Sequence, residues 1–165
     1  MFQDSHVAAL SAKIKPVRIA MFTTQDQHGH LTSHPMTWQE LDPQGALWFY
    51  TSTHTALWEH IARHPEVNLS FVEPAENLYV SVSGSAERVV ERSQIEARRN
   101  PSVQAWFPNG PQDEHVVLVR VVPHLAEYWD ANDNTMVSLF DMARAVLTGS
   151  TPAVDPGEHG KIPLQ

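Results

Sequence analysis

The chain has 165 residues, 42% of them hydrophobic and 18% charged, which suits a single domain with a packed core. Eleven lysines and arginines face 19 aspartates and glutamates, a formal net charge of −8, so no cationic surface for nucleic acid is expected. No cysteine is present, which excludes disulfides, thiolate metal sites, iron–sulfur clusters and cysteine nucleophiles.

The first residues, Met1-Phe2-Gln3-Asp4, have neither the basic nor the apolar segment of a secretory signal. Residues 4–14 read as a helix, capped by Asp4 or Ser5, with Val7, Leu10 and Ile14 at helical spacing and Pro16 as its stop. Residues 17–24 are strand-like, and Gln25-Asp26-Gln27-His28-Gly29 turns the chain. Residues 30–41 return as a second strand, in which Pro35 implies an edge, a bend or a bulge. Asp42-Pro43-Gln44-Gly45 leads into a third strand, residues 46–52, completing an antiparallel meander. Its Leu47-Trp48-Phe49-Tyr50 is among the longest apolar runs, far short of the roughly 20 residues of a membrane span. The expectation is a soluble cytoplasmic protein with no membrane partner.

Residues 55–63 read as a helix with Leu57 and Ile61 four apart, ended by His64-Pro65. Val67, Leu69 and Phe71 alternate with Asn68 and Ser70, which is strand periodicity. The clearest strand runs from Leu78 through Ala86 towards Val90, and Gly84 inside it suggests a bulge or a close backbone approach. A short helix over residues 93–99 is followed by the loop Asn100-Pro101 and a loop carrying Trp106-Phe107-Pro108-Asn109-Gly110. Residues 115–122 and 124–129 read as the last two strands, and residues 136–147 as a terminal helix with Val137, Phe140, Ala143 and Leu147 on one face. Residues 149–165, rich in Pro, Gly, Ser and Thr, read as a flexible tail behind a single domain of residues 4–148. Many short strands with inserted helices favour a mainly β, closed or partly closed antiparallel barrel with peripheral helices.

The chain lacks a phosphate-binding loop, Gly-x-Gly-x-x-Gly, a Gly-x-Ser-x-Gly elbow and His-Glu-x-x-His. His60 and His64 lie four apart on a helix, and His28, His30 and His34 recur on the first hairpin. No carboxylate stands in ligand register with either group, so no metal site is expected. Arg88, Arg92, Arg98 and Arg99 interleave with Glu87, Glu91 and Glu96 at spacings that suit helix-surface ion pairs. Trp38, Trp48 and Trp58 suit a core. Trp106 and Phe107, placed in a loop, suit a subunit interface or a platform for a flat ligand. Arg18, and Tyr50-Thr51-Ser52-Thr53-His54-Thr55 leading into a helix N-terminus, offer groups that suit a phosphate.

Taken together, several segments resemble the FMN-binding split-barrel proteins related to pyridoxamine 5'-phosphate oxidase, above all the general stress protein 26-like branch. They are Arg18-Ile19-Ala20-Met21-Phe22-Thr23-Thr24, Leu31-Thr32-Ser33-His34-Pro35-Met36, Leu47-Trp48-Phe49-Tyr50-Thr51 and His64-Pro65-Glu66-Val67-Asn68-Leu69-Ser70-Phe71. Tyr79-Val80-Ser81-Val82-Ser83-Gly84-Ser85-Ala86-Glu87, Trp106-Phe107-Pro108-Asn109-Gly110 and Glu127-Tyr128-Trp129-Asp130 complete the set, over about residues 6–130. No single motif is specific; their number, order and spacing are.

The resemblance implies a six-stranded antiparallel split barrel and a homodimer with FMN at the subunit interface. It places Arg18, Ile19, Ala20, Met21 and Thr23 on a strand along the flavin, with Ser33, His34 and Pro35 approaching from the next strand. Tyr50 and Thr51 would flank the ribityl phosphate, Thr55 would start the helix beside it, and Trp106 and Phe107 would close the site from the other subunit. The chain departs from the oxidase pattern at three places. Thr23 replaces the lysine used for the pyridoxal substrate, so a true pyridoxamine phosphate oxidase is not expected. Thr55-Ala56-Leu57 replaces Ser-Arg-Lys at the helix start, leaving the phosphate to Arg18, hydroxyls and backbone N–H groups. Tyr79 replaces a glutamine.

The expected function is a stress-related, FMN-dependent oxidoreductase of unknown substrate, exchanging electrons with a small donor or acceptor. The alternatives are a non-catalytic flavin carrier or sensor and a cofactor-free structural dimer. Related barrels also accept deazaflavin or haem. No catalytic residue is assigned; His34 is the titratable candidate near the ring.

Overall fold

The structure is a computed structural model that describes residues 2–130 and 158–164. The helix expected over residues 136–147 lies outside the described residues. Helix α1 (Phe2–Ile14) leads into strands β1 (Ile19–Gln25), β2 (Leu31–Leu41) and β3 (Leu47–Ser52). Helix α2 (Ala56–Arg63) precedes β4 (Glu66–Glu73) and β5 (Leu78–Val89), followed by the short helices α3 (Arg92–Ala97) and α4 (Pro101–Trp106). The long strand β6 (Val116–Asp130) and a final strand β7 (Glu158–Pro163) complete the described chain.

The strands are antiparallel in the order β3-β2-β1-β4-β5-β6-β7, and β3 also pairs with β6. That pairing closes six strands into a barrel and leaves β7 outside the ring. Strand β6 makes this possible by changing neighbours along its length. Residues 116–121 pair with β3, whereas residues 125–130 pair with β7.

Two sequence expectations change here. The two separate last strands are one, because the irregularity near Pro123 is absorbed by a bulge instead of a break. Gly84 pairs with Pro123 and Ser83 with Leu125, which leaves His124 as the extra residue. A Cβ on Gly84 would stand 2.4 Å from the Val122 carbonyl oxygen, so the position needs glycine for lack of space. The stretch read as a flexible tail contributes β7, whose Ile162 is buried in the core opposite Ala126.

Strand alternation decides what points where. In β1, Ala20, Phe22 and Thr24 face the interior and Ile19, Met21 and Thr23 face out. The interior is filled by side chains such as Phe22, Phe49, Phe71 and Leu69, with the Phe22 and Phe49 rings edge to face at 5.1 Å. Helix α1 adds Leu10 and Ile14, both fully buried. Strand β3 is buried on both faces, which explains its uninterrupted apolar run. Leu47 and Phe49 enter the barrel core, while Trp48 and Tyr50 join Ile95, Val103, Val116 and Leu118 in a second core beneath α3 and α4.

The outer face of the sheet carries an apolar ridge. Val72 pairs with Tyr79 and Tyr79 with Trp129, and the register of β1 on β4 puts Ile19 next to Val72. These four side chains are 41–55% exposed.

Candidate functional site

Strands β2 and β3 pair only at Trp38–Phe49, Glu40–Trp48 and Leu41–Leu47, with a bulge between Trp38 and Glu40. Among the described residues the first half of β2 therefore has β1 as its only strand partner, and Pro35 lies on that open edge, as its missing N–H requires. Where the two strands part, a cavity of about 270 Å³ opens. One wall is β2, from Pro35 through Met36 and Thr37 to Gln39. The opposite wall is α4 and the residue after it, with Ser102, Val103, Trp106 and Phe107.

The end of the cavity is a cluster of hydroxyls, formed by Tyr50, Thr51, Ser52 and Thr55. Thr55 is the N-cap of α2: its Oγ1 accepts from the Trp58 N–H at 3.3 Å and donates to the Ser52 carbonyl at 2.9 Å. With that proton committed, the Thr51 hydroxyl donates to Thr55 Oγ1 across 3.0 Å. The N–H groups of Ala56 and Leu57, at the first positions of the helix, have no intrahelical acceptor. Through Thr55, this end of the cavity brings short hydroxyls next to the positive N-terminal end of α2.

Tyr50 belongs to the structure more than to the chemistry. Its hydroxyl donates to the Ile95 carbonyl, and its ring lies 6.4 Å from that of Phe107. Burial, reinforced by the charge of Glu96 and opposed by that of Arg98, raises its phenol above the ordinary tyrosine value. The group stays a neutral donor at physiological pH. Among the described residues no other titratable side chain lines the cavity.

Six of the residues singled out in the sequence meet at this cavity: Pro35, Tyr50, Thr51, Thr55, Trp106 and Phe107. The rest lie elsewhere. Ala20 is fully buried with its side chain in the barrel core, because β1 alternates in phase with Phe22. Ile19, Met21, Thr23 and Ser33 stand on the outer face, where Thr23 and Ser33 hydroxyls are 2.7 Å apart. Arg18 is exposed, its guanidinium 5.5 Å from the Trp38 ring. His34 points to the inner side of β2, and its Nε2, like Thr32 Oγ1, is buried with no hydrogen-bond partner. It is not the solvated hairpin histidine that its neighbours His28 and His30 are.

Residues missed in the sequence are Met36, Thr37, Gln39, Ser102 and Val103. Ser52, offered in the sequence only as part of the hydroxyl run of residues 50–55, lines the cavity as well. Trp106 is the last residue of a helix, not part of a loop, and it is 75% exposed. The arginine run also resolves differently from the expected surface pairs. Arg92 donates to the carbonyls of Pro111, Asp113 and Glu114, while Arg98 pairs with Glu40 at 2.8 Å and stacks on Trp48. Arg88 lies over Trp58.

A second cleft, of about 450 Å³, lies between α2 and the β1–β2 turn. There His60 Nδ1 meets Thr24 Oγ1 at 2.8 Å and Arg63 donates to Gln27. His64 caps the other end of α2, so the two histidines do not act as a pair. Among the described residues no three His, Asp or Glu side chains are arranged to hold a metal ion. No helix among them is long and apolar enough to cross a membrane.

A closed six-stranded antiparallel barrel that parts over a hydroxyl-lined cavity is a split barrel. The family model described as pyridoxamine 5'-phosphate oxidase like matches residues 5–153, and the chain belongs to that family. The bli-3 protein of Neurospora crassa is 28% identical over 162 residues, covering 92% of this chain and 78% of that protein. A general stress protein 26 from Jannaschia sp. CCS1 superposes with a TM-score of 0.67 at 27% identity, covering 96% of this chain and 98% of the other. A general stress FMN/FAD binding protein from Xanthomonas citri gives 0.62 at 27% identity, with 83% and 93% covered.

Proposed function

We propose that this chain binds FMN in the cavity between β2 and β3, as a cytoplasmic homodimer, and acts as a stress-related flavin oxidoreductase. One observation carries the reading: a hydroxyl-rich helix N-terminus and an exposed tryptophan line the same cavity. The FMN/FAD binding protein of Xanthomonas citri, at 27% identity, supports a flavin as ligand. The donor set suits a phosphate monoester. Thr51, Ser52, Thr55 and the N–H groups of Ala56 and Leu57 would hold it, and Trp106 and Phe107 would cover the ring. The unpartnered Thr32 Oγ1 and His34 Nε2 lie on the strand that forms the cavity wall, and add polar capacity the fold alone does not use.

When bound, the flavin supplies hydride or single-electron chemistry. The residues of this chain bind, orient and shield it. The ridge of Ile19, Val72, Tyr79 and Trp129 is a suitable surface for a second copy. Arg18, Ile19, Met21, Thr23 and Ser33, on the same outer face, then belong to the interface.

That the described lining of the cavity holds no titratable residue but Tyr50 favours a second reading, a non-catalytic flavin carrier. Titration with FMN and with riboflavin, followed by desalting and sedimentation, tests the proposal. The expected result is one FMN per chain, weaker retention of riboflavin, and a dimer mass. No retained flavin at tens of micromolar overturns it. Oxidation of NADH or NADPH by the loaded protein then separates the enzyme from the carrier.

A further inference from the structure

A side-chain hydrogen bond joins the two walls of the cavity, beside the Arg98–Glu40 ion pair that ties β2 to the segment just before α4. Gln39 sits at the bulge of β2, and Asn100 is the N-cap of α4. Asn100 Oδ1 accepts from the N–H groups of Ser102 and Val103, at 3.0 and 3.3 Å. That leaves Nδ2 as a donor, and it reaches Gln39 Oε1 at 2.6 Å and the Arg98 carbonyl at 3.2 Å. Gln39 is oriented in turn, because its Nε2 donates to the Thr37 carbonyl at 3.0 Å. Neither amide can flip without losing a backbone partner.

Helix α4 has six residues, too few to be stable by its own hydrogen bonds. It is held inward by buried Val103 and at its start by Asn100, while Trp106 at its far end is exposed. We infer that the Gln39–Asn100 hydrogen bond is a clip that sets the width of the cavity, and that Asn100 is a positioning residue for Trp106 and Phe107. The inference rests on the flavin-binding reading for its consequence, and on the free protein for its geometry. With the clip broken, α4 keeps its cap and its Val103 anchor but loses its direct hydrogen bond to β2, and the Arg98–Glu40 pair holds only the segment before it. The aromatic wall then moves away from β2, and a bound flavin escapes faster.

Asn100→Ser is the discriminating variant. A serine caps the helix equally well but cannot span to Gln39. Gln39→Ala cuts the same bond from the other side. Each variant is expected to release FMN about three- to tenfold faster than the wild type, the range for one hydrogen bond. The double variant is expected to be no faster than the singles, since both remove the same contact. Equal release rates in Asn100→Ser and wild type overturn the clip, as do single effects that multiply in the double variant. Amide hydrogen exchange of the ligand-free protein gives a readout independent of flavin. Residues 101–107 are expected to exchange faster in Asn100→Ser while β3 and β6 are unchanged; unaltered exchange there also overturns the clip. If wild type holds no FMN, the flavin reading fails, and exchange alone decides the clip.

Discussion

The hydroxyl of Tyr50 donates to the backbone carbonyl of Ile95, tying β3 to α3 across 45 positions of sequence. This bond anchors the second core, and through it α3 and the following α4, which forms one side of the cavity. Tyr50→Phe removes the bond without changing the ring, and is expected to cost about 1 kcal/mol in urea denaturation at neutral pH.

The same residue predicts an alkaline dependence. Its folded-state pKa is raised, mainly by burial, so the native protein holds the proton more tightly than the unfolded chain. The stabilisation is complete below the ordinary tyrosine value near 10 and is lost as pH rises through the higher folded value. The stability difference between wild type and Tyr50→Phe should therefore shrink above about pH 10. A difference that stays constant to the onset of alkaline unfolding would contradict this.

Gly84→Ala tests the bulge. The added methyl would lie 2.4 Å from the Val122 oxygen and 2.9 Å from Pro123 Cα, both backbone atoms that no rotamer change can move. A loss of about 2–3 kcal/mol is expected by thermal or chemical denaturation. Gly29→Ala, a site whose nearest atom is Gln25 Nε2 at 3.6 Å, carries only the strain of a positive φ and is expected to cost less.

Asp42 organises the β2–β3 turn from a buried position, accepting from the Gln44 and Ala46 N–H groups and from the Trp48 indole. Asp42→Ala leaves the buried donors without a partner and is expected to cost about 3 kcal/mol or more. Asp42→Asn keeps one acceptor oxygen and should fall between the two in the same denaturation series.

Ala56 and Leu57, the first two residues of α2, differ in kind. Leu57 is buried at 2% exposure, so a lysine there would unfold more than it binds, whereas Ala56 is exposed at the mouth of the second cleft. Ala56→Arg is expected to tighten FMN about tenfold through a charge-assisted bond to the phosphate, with riboflavin unchanged. An equal gain for both flavins, or none for FMN, would show that the phosphate does not lie at this helix start. The gain should also fall with added salt.

Much of the architecture is legible in local patterns. The period-two alternation of residues 66–73 and 78–89, the Gly29 and Gly45 turns with their positive φ, and Pro35 on an open edge all follow from backbone sterics. Gly84 is legible for the same reason. The hydroxyl run before α2 marks its N-cap, and Thr55 does cap it. These features depend on neighbours a few residues apart, which a sequence states directly.

What the tertiary structure decided depends on pairing between distant segments. Residues 116–130 form one strand because its two halves are held by different partners, β3 and β7, and a bulge against Gly84 carries the chain past Pro123. Residues 158–163, polar and glycine-containing, become a strand only because β6 extends beyond the ring and offers an unpaired edge. The alternation of β1 states that its residues have two faces, but closure of the barrel decides that Ala20 is inside and Met21 outside. The cavity likewise exists because β2 and β3 separate after three paired positions. Gln39, Ser102 and Val103 acquire their place in it from that separation, a property of the closed sheet and not of any segment.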